Sequence, residues 1–277
     1  KIYEVGDKAL VTISYDGDEV KSAVMSDHYR LDKEAVLAVL FVLLLILFAG
    51  KNGVQAIFSF VITVLSIWKI LVPCYLNGYS PVWVGIALTA FLTVVILYFV
   101  YGIEKRTLVA SMGSLLGVLT TCVLGIVFTD LFKIHGAVMA NSESLLYSGY
   151  ENLDLTAIFM SSIFIGASGA MMDLAVDITA AVSEVVEKKP EIGWLEAAKS
   201  GMNVGRAAMG TMTTTLLLAY SGGCVALLMV FMAQGTPVNH ILNYKYVAAE
   251  VLDTIAGSFG LVTVAPFTAL VAGLILT

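Results

Sequence analysis

The sequence predicts an all-α polytopic membrane bundle of about seven transmembrane helices, preceded by a short extracytoplasmic β segment. Of its 277 residues, 59% are hydrophobic and only 13% are charged, whereas about a quarter of the residues of a soluble domain are charged. From Ala35 onward, apolar stretches follow one another, each near the ~20 residues that cross a bilayer. Short connections containing Gly, Pro or charged residues separate these stretches, as turns require.

The first 32 residues are interpreted as the end of an extracytoplasmic β domain. Residues 8–15 alternate partly between apolar and polar side chains, residues 16–18 have the composition of a turn, and residues 19–25 can return as a second strand. Two strands alone are only marginally stable, and the chain starts at Lys1 without an apolar signal region. We therefore expect a further segment to precede residue 1.

The membrane domain, residues 33–277, is expected to cross the bilayer seven times. The spans are roughly residues 33–50, 54–76, 81–102, 107–132, 155–186, 209–233 and 247–276. Lys and Arg collect on the cytoplasmic side of membrane proteins, and the loop set that includes Lys188 holds more of them than the alternate set. The N-terminal segment is therefore expected outside and the C-terminus in the cytoplasm. Loop 133–154 would lie outside, as either a short interfacial helix or an ordered polar loop.

Two carboxylates of the fifth span are the main candidates for a functional role. Asp173 and Asp177 recur with Ser162, Gly166 and Gly169 at a spacing of three to four residues, so all five share one helical face. A charged side chain near the bilayer centre costs at least ~3 kcal/mol and usually faces a bundle interior or a water-filled path. We interpret both aspartates as an ion or proton relay. The alternative is that both lie at the cytoplasmic end, solvated or paired with basic residues.

Polar residues near these carboxylates suggest a path. Arg206 is a candidate counter-ion for the aspartates in the relay; the alternative is that its side chain simply reaches the membrane interface. Residues predicted to line a polar path are Ser168, Thr211, Thr213 and Thr214. The alternative for the threonines is a hydrogen bond from each hydroxyl to the preceding turn of its own helix.

Small residues predict close helix packing at four positions: Gly166, Gly169, Gly257 and Gly260. Gly113 and Gly117 form a similar pair in the fourth span. In the last span Pro266 removes one backbone hydrogen bond and permits a kink. Glu250 and Asp253 share a face near the outer end of that span, where we interpret Asp253 as a solvated helix cap; the alternative is a role in an ion path.

Several function classes are disfavoured. Cys74, Cys122 and Cys224 are far apart without metal-ligand spacing and are expected to be buried thiols. The sequence contains no nucleophile elbow, zinc-ligand spacing or phosphate loop, so we expect neither an enzyme nor a bound metal or cofactor. The formal charge of -6 argues against nucleic acid as a partner.

Four segments resemble the YibE/F family of bacterial integral membrane proteins. They are residues 166–176 (GASGAMMDLAV), 198–206 (AKSGMNVGR), 218–223 (LAYSGG) and 257–266 (GSFGLVTVAP). The family pattern often has an acidic residue directly before the position of Asp173, where this chain has Met172. The resemblance implies an extracytoplasmic β domain preceded by another membrane helix, and it implies no known substrate.

A more distant similarity involves residues 163–270. Their order of an aspartate helix, a basic loop, an arginine followed by paired threonines and a Gly-rich helix ending in Ala-Pro is similar to the last three helices of SecF, one of the proton-driven RND-type permeases. Asp173 would correspond to the intramembrane aspartate, Arg206 to the loop-end arginine, and Thr213 and Thr214 to the threonine pair. The spacing differs, because the second aspartate follows after four residues instead of six.

These observations together predict an ion-coupled, specifically proton-coupled, permease or export subunit of unknown substrate in the bacterial cytoplasmic membrane. Such pathways commonly require two related halves, so we expect a homodimer or a paired membrane protein surrounded by lipid. The alternative is a non-transporting accessory or scaffold protein for another membrane or secreted protein. A water-connected cleft at Asp173 would favour the permease, and fully paired carboxylates would favour the scaffold.

Overall fold

The computed structural model describes residues 2–277 and begins with a β-hairpin. Strands β1 (Ala9–Asp16) and β2 (Glu19–His28) pair antiparallel. Gly17 has a φ of 66°, which suits the first position of a two-residue hairpin turn. The register shifts at Leu10/Val11 and at Ser14/Tyr15. The two strands predicted from the sequence are therefore confirmed.

The first helix contains a sharp reversal. Helix α1 (Leu31–Ser66) has a non-helical residue at Gly50, with φ 55° and ψ -124°. A Cβ atom added to Gly53 would collide with the carbonyl oxygen of Leu45, although eight residues of unbroken helix would separate these positions by about 12 Å. The chain therefore turns back at Gly50, where the sequence predicted the end of the first span.

The remaining helices follow the predicted order. A π-helical turn (Ile67–Leu71) leads into α2 (Val72–Leu76). The next helices are α3 (Pro81–Tyr101), α4 (Lys105–Leu131), α5 (Ser142–Tyr147), α6 (Leu155–Lys188), α7 (Trp194–Ala233), α8 (Val238–Asn243) and α9 (Lys245–Leu276). A 3-10 turn (Gly136–Val138) and α5 occupy the loop for which a short helix was one of two expectations.

Six segments of the described chain are long and apolar enough to cross a membrane. The sequence predicted seven, and the difference lies in Leu31–Leu76, which counts as one segment of 46 residues because the helix resumes after Gly50. Helix α7 also differs from its predicted span. It begins at Trp194 and is longer than the apolar span 209–233, because the amphipathic stretch before the span is part of the same helix.

The chain divides into two compact units, Lys1–Phe58 and Ser59–Thr277. Within the second unit, helices α4, α6 and α9 form a tightly packed centre. A Cβ atom on Gly117 would collide with Val264, and one on Gly113 would collide with Thr268. A Cβ on Gly260 would lie 2.9 Å from the carbonyl oxygen of Gly117. The small residues of α4 and α9 thus permit near backbone contact, as predicted for both helices.

Candidate functional site

The predicted face of α6 exists, and it is an open face of this chain. Asp173 and Asp177 are exposed, whereas Leu174 and Ile178 between them are fully buried. An added Cβ on Gly169 would meet nothing within 4 Å. The carboxylates therefore do not lie inside a seam between two helices, and Gly169 does not make the close packing contact expected of it.

Asp173 lies near the middle of the bundle. Gly117, Met171 and Gly260 are each within one residue of the midpoint of their helices. They meet there, since a Cβ on Gly117 would lie 3.5 Å from the Met171 sulfur and one on Gly260 would collide with the Met171 methyl group. Asp173 follows Met171 by two residues, or about 3 Å along the axis. Asp173 therefore lies near the middle of α6 rather than at either end of the helix.

Neither aspartate has a basic partner in the part of the chain that the structure describes. Arg206 is exposed, and no ion pair joins it to Asp173 or Asp177. The basic residues near the end of α6 pair elsewhere: Lys188 with Glu184 at 2.6 Å, Lys189 with Glu196 at 3.1 Å, and Arg106 with Glu187. The counter-ion role of Arg206 stays a prediction without a contact in this chain to support it.

The residues predicted to line a polar path bond to their own helices. Thr211 donates to the carbonyl of Ala208, Thr213 to that of Met209 and Thr214 to that of Gly210, at 2.8 to 3.1 Å. This is the alternative that the sequence left open for the threonines. Thr211 and Thr214 are nonetheless exposed, and Thr213 is half-buried.

Ser168 lies apart from the aspartates. It is only 8% exposed and donates to the Ile165 carbonyl at 2.7 Å. Five residues of helix rotate it by about 140° from Asp173. Ser168 therefore faces the protein core in this structure, rather than the open face that carries the carboxylates.

A cavity of about 540 Å³ lies among α6, α7 and α9. Apolar residues form most of its lining, including Phe159 of α6 and Leu227 of α7, with Val138, Met139 and Ala140 contributed by the segment before α5. Glu250 and Asp253 of α9 also line it. They are three residues apart and therefore occupy the same helical face.

Asp253 is not the solvated cap that the sequence suggested. Helix α9 begins at Lys245 with Tyr244 as its N-cap, so Asp253 lies more than two turns inside the helix. It is half-buried, and its Oδ1 atom is enclosed without a hydrogen-bond partner. The reason for the difference is that the helix starts earlier than expected and packs its acidic face against α7 rather than leaving it in solvent.

Tyr220 of α7 lies beside Gly166 of α6, close to the cavity. It precedes the cavity residue Cys224 by one helical turn, and a Cβ on Gly166 would lie 2.8 Å from its hydroxyl oxygen. That hydroxyl is buried without a hydrogen-bond partner. Tyr220 was not among the predicted site residues, although it lies in segment 218–223, one of the four that resemble the YibE/F family.

The glycines of α9 hold this arrangement together. A Cβ on Gly257 would lie 3.1 Å from the Cβ of Ala167 and 4.0 Å from the Tyr220 ring. Gly257 therefore allows α6 and α7 to approach α9 at the level of the cavity, in agreement with its predicted packing role. Pro266 lies further along the same helix, which continues through it to Leu276.

One known protein family matches most of this chain. The model of the YibE/F-like protein family matches residues 37–277. No curated protein and no solved structure matches significantly. The match spans every helix from α2 to α9 and most of α1, so this chain is a multi-pass integral membrane protein that belongs to the YibE/F-like family.

Proposed function

We propose that this protein is a proton-coupled permease or export subunit of the bacterial cytoplasmic membrane, in which Asp173 gains and loses a proton during transport. The observation that carries the proposal is the position of Asp173, which is exposed near the middle of the bundle without a basic partner. The similarity of this helix order to SecF supports the same reading.

The cost of burying charge is the physical basis of the proposal. An unpaired carboxylate at the depth of a bilayer is expensive, and the cost falls when the carboxylate takes up a proton. Asp177 lies one turn further along the same face, so two carboxylates share this part of the helix. Charged and neutral Asp173 would therefore favour different surroundings, which is what coupling of a proton to a conformational change requires.

The open face around Asp173 supports a paired assembly. Gly169 and both aspartates are exposed along α6, and a face with carboxylates is unsuited to contact with lipid tails. A second copy of the chain, or a related membrane protein, would enclose a polar path along this face. Such a pair would also supply the two halves that many transporters use.

Proton flux in liposomes tests the proposal. We expect the purified wild-type protein to raise proton flux above the protein-free leak and Asp173→Asn to abolish this increase, because the amide cannot titrate. Asp130→Asn makes the same chemical change at an exposed residue in the last turn of α4 and should retain wild-type flux. Equal flux through wild type and Asp173→Asn would remove Asp173 from the mechanism, and no flux through either would favour the accessory or scaffold role.

A further inference from the structure

We propose that the cavity among α6, α7 and α9 binds a small organic monocation, an amine or quaternary ammonium ion with an apolar body. Transport of this cation rests on the permease function proposed above, for which the cation would be the class of substrate. The binding site itself stands on the size, the walls and the charge of the cavity.

The size and walls fit an organic molecule. The cavity volume of about 540 Å³ lies within the range of about 300 to 1,000 Å³ typical of small-molecule sites. Leu227 and Met139 give it apolar walls, and the aromatic rings of Phe159 and Tyr246 also line it. Aromatic faces attract cations through their negative π-electron density.

The lining of the cavity is negatively charged, and the ammonium of Lys245 lies 5.0 Å from the centre of the Tyr246 ring, which is part of that lining. Glu250 and Asp253 contribute two carboxylates, and no Lys, Arg or His is among the described residues that line the cavity. The Oδ1 atom of Asp253 is enclosed without a hydrogen-bond partner, which is a costly arrangement for a polar group. A bound cation would supply both the missing charge and a donor or a close positive group at this oxygen.

The geometry favours an organic cation over a metal ion. No group of three or more His, Cys, Asp or Glu residues is placed to hold a metal ion anywhere in the described chain. The cavity is also far larger than a metal ion, and most of its lining is apolar. A ligand with one diffuse positive charge and several carbon atoms would place its charge near the carboxylates and its carbon atoms against the apolar walls.

Direct binding to the purified full chain in lipid nanodiscs tests this proposal, with benzyltrimethylammonium as the probe in isothermal titration calorimetry. We expect saturable binding to wild type and at least about tenfold weaker binding to Glu250→Gln/Asp253→Asn, because both attractive charges are removed. Glu143→Gln makes a matched change at an exposed residue of α5 outside the cavity and should bind like wild type. The single variants are measured as well, in case the double variant does not fold.

Neopentylbenzene is the neutral analogue of the probe, with carbon in place of nitrogen, and we expect it to bind at least about tenfold more weakly than the cation. Equal binding of the two compounds, equal binding by wild type and the cavity variants, or no binding by wild type would each overturn the proposal. The binding experiment needs no proton flux. Its failure is therefore distinguishable from failure of the proposed function, which depends on Asp173.

Discussion

At the scale of single residues, the clearest pH-dependent contact lies at the end of the hairpin. Arg30 donates two hydrogen bonds to the Asp27 carboxylate, at 2.7 and 2.8 Å, and the His28 amide donates a third at 2.7 Å. These bonds, with that of Arg30 first, lower the pKa of Asp27 to about 2. Because the pKa of Asp27 is lowered on folding, its ionised carboxylate stabilises the folded hairpin at pH values above the ordinary carboxyl pKa of 3.8. This contribution is lost as the pH falls toward 2.

We therefore expect Asp27 to titrate near pH 2 in the folded protein and nearer its ordinary value in Arg30→Gln. Carbon-13 NMR of selectively labelled aspartate carboxyl groups measures both midpoints. Lys21→Gln removes a comparable exposed charge that pairs with Asp16 at 3.3 Å, and it should leave the Asp27 midpoint in place. An unchanged midpoint in Arg30→Gln would show that the arginine does not hold the carboxylate in solution.

The candidate site could be predicted in part at this scale. Periodicity places Asp173 and Asp177 on one face of one helix, and the structure confirms that shared face. Periodicity cannot tell which helix, if any, covers the face, because that depends on how distant segments pack. The burial of Asp253 and the position of Tyr220 beside Gly166 are likewise contacts between helices, so the sequence pattern did not reveal them.

At the scale of helices, the contact between α4 and α9 yields a matched pair of glycine variants. A Cβ on Gly260 would collide with Thr121 and Met171 and lie 2.9 Å from the Gly117 carbonyl oxygen, whereas a Cβ on Gly169 would meet nothing within 4 Å. We expect Gly260→Ala to lower the free energy of unfolding by about 1–3 kcal/mol, since overpacking forces the helices apart. Gly169→Ala should be neutral or stabilise by up to about 1 kcal/mol, because alanine favours helix.

Thermal unfolding of the purified variants checks this difference. Gly169→Ala serves as the control for the general effect of alanine on a membrane helix. If both substitutions changed the melting temperature equally, α4 and α9 would not approach as closely as the structure indicates.

The helices themselves were largely predictable, because apolar runs near 20 residues are a strong signal. The start of α7 depends on a different signal. Its residues from Trp194 to about 208 are amphipathic rather than uniformly apolar, and a rule based on bilayer thickness ends a span where hydrophobicity falls. The helix continues because amphipathic sequence is stable as a helix wherever one face packs on protein and the other meets water.

At the scale of the whole molecule, the turn at Gly50 determines the number of membrane crossings. The segment Leu31–Leu76 has 46 residues, and as one straight helix it would extend for about 69 Å, more than twice the hydrocarbon thickness. Gly50 breaks it near its middle, and Lys51 and Asn52 follow directly. These polar residues suit a turn at the membrane surface, so we predict two crossings here and seven in the chain.

Seven crossings put the two ends of the chain on opposite sides of the membrane, whereas six would put them on the same side.

Cysteine labelling tests this difference. The three native cysteines, Cys74, Cys122 and Cys224, are first replaced by serine. Single cysteines are then introduced as Asp18→Cys in the hairpin turn, Glu191→Cys between α6 and α7, and Thr277→Cys. We expect a membrane-impermeant maleimide to label intact cells at position 18 only, since the excess of Lys and Arg favours a cytoplasmic location for the loop at 191. Labelling of positions 18 and 277 from the same side would contradict the second crossing before residue 76. The hairpin turn would then lie on the same side of the membrane as the basic loop at residue 191.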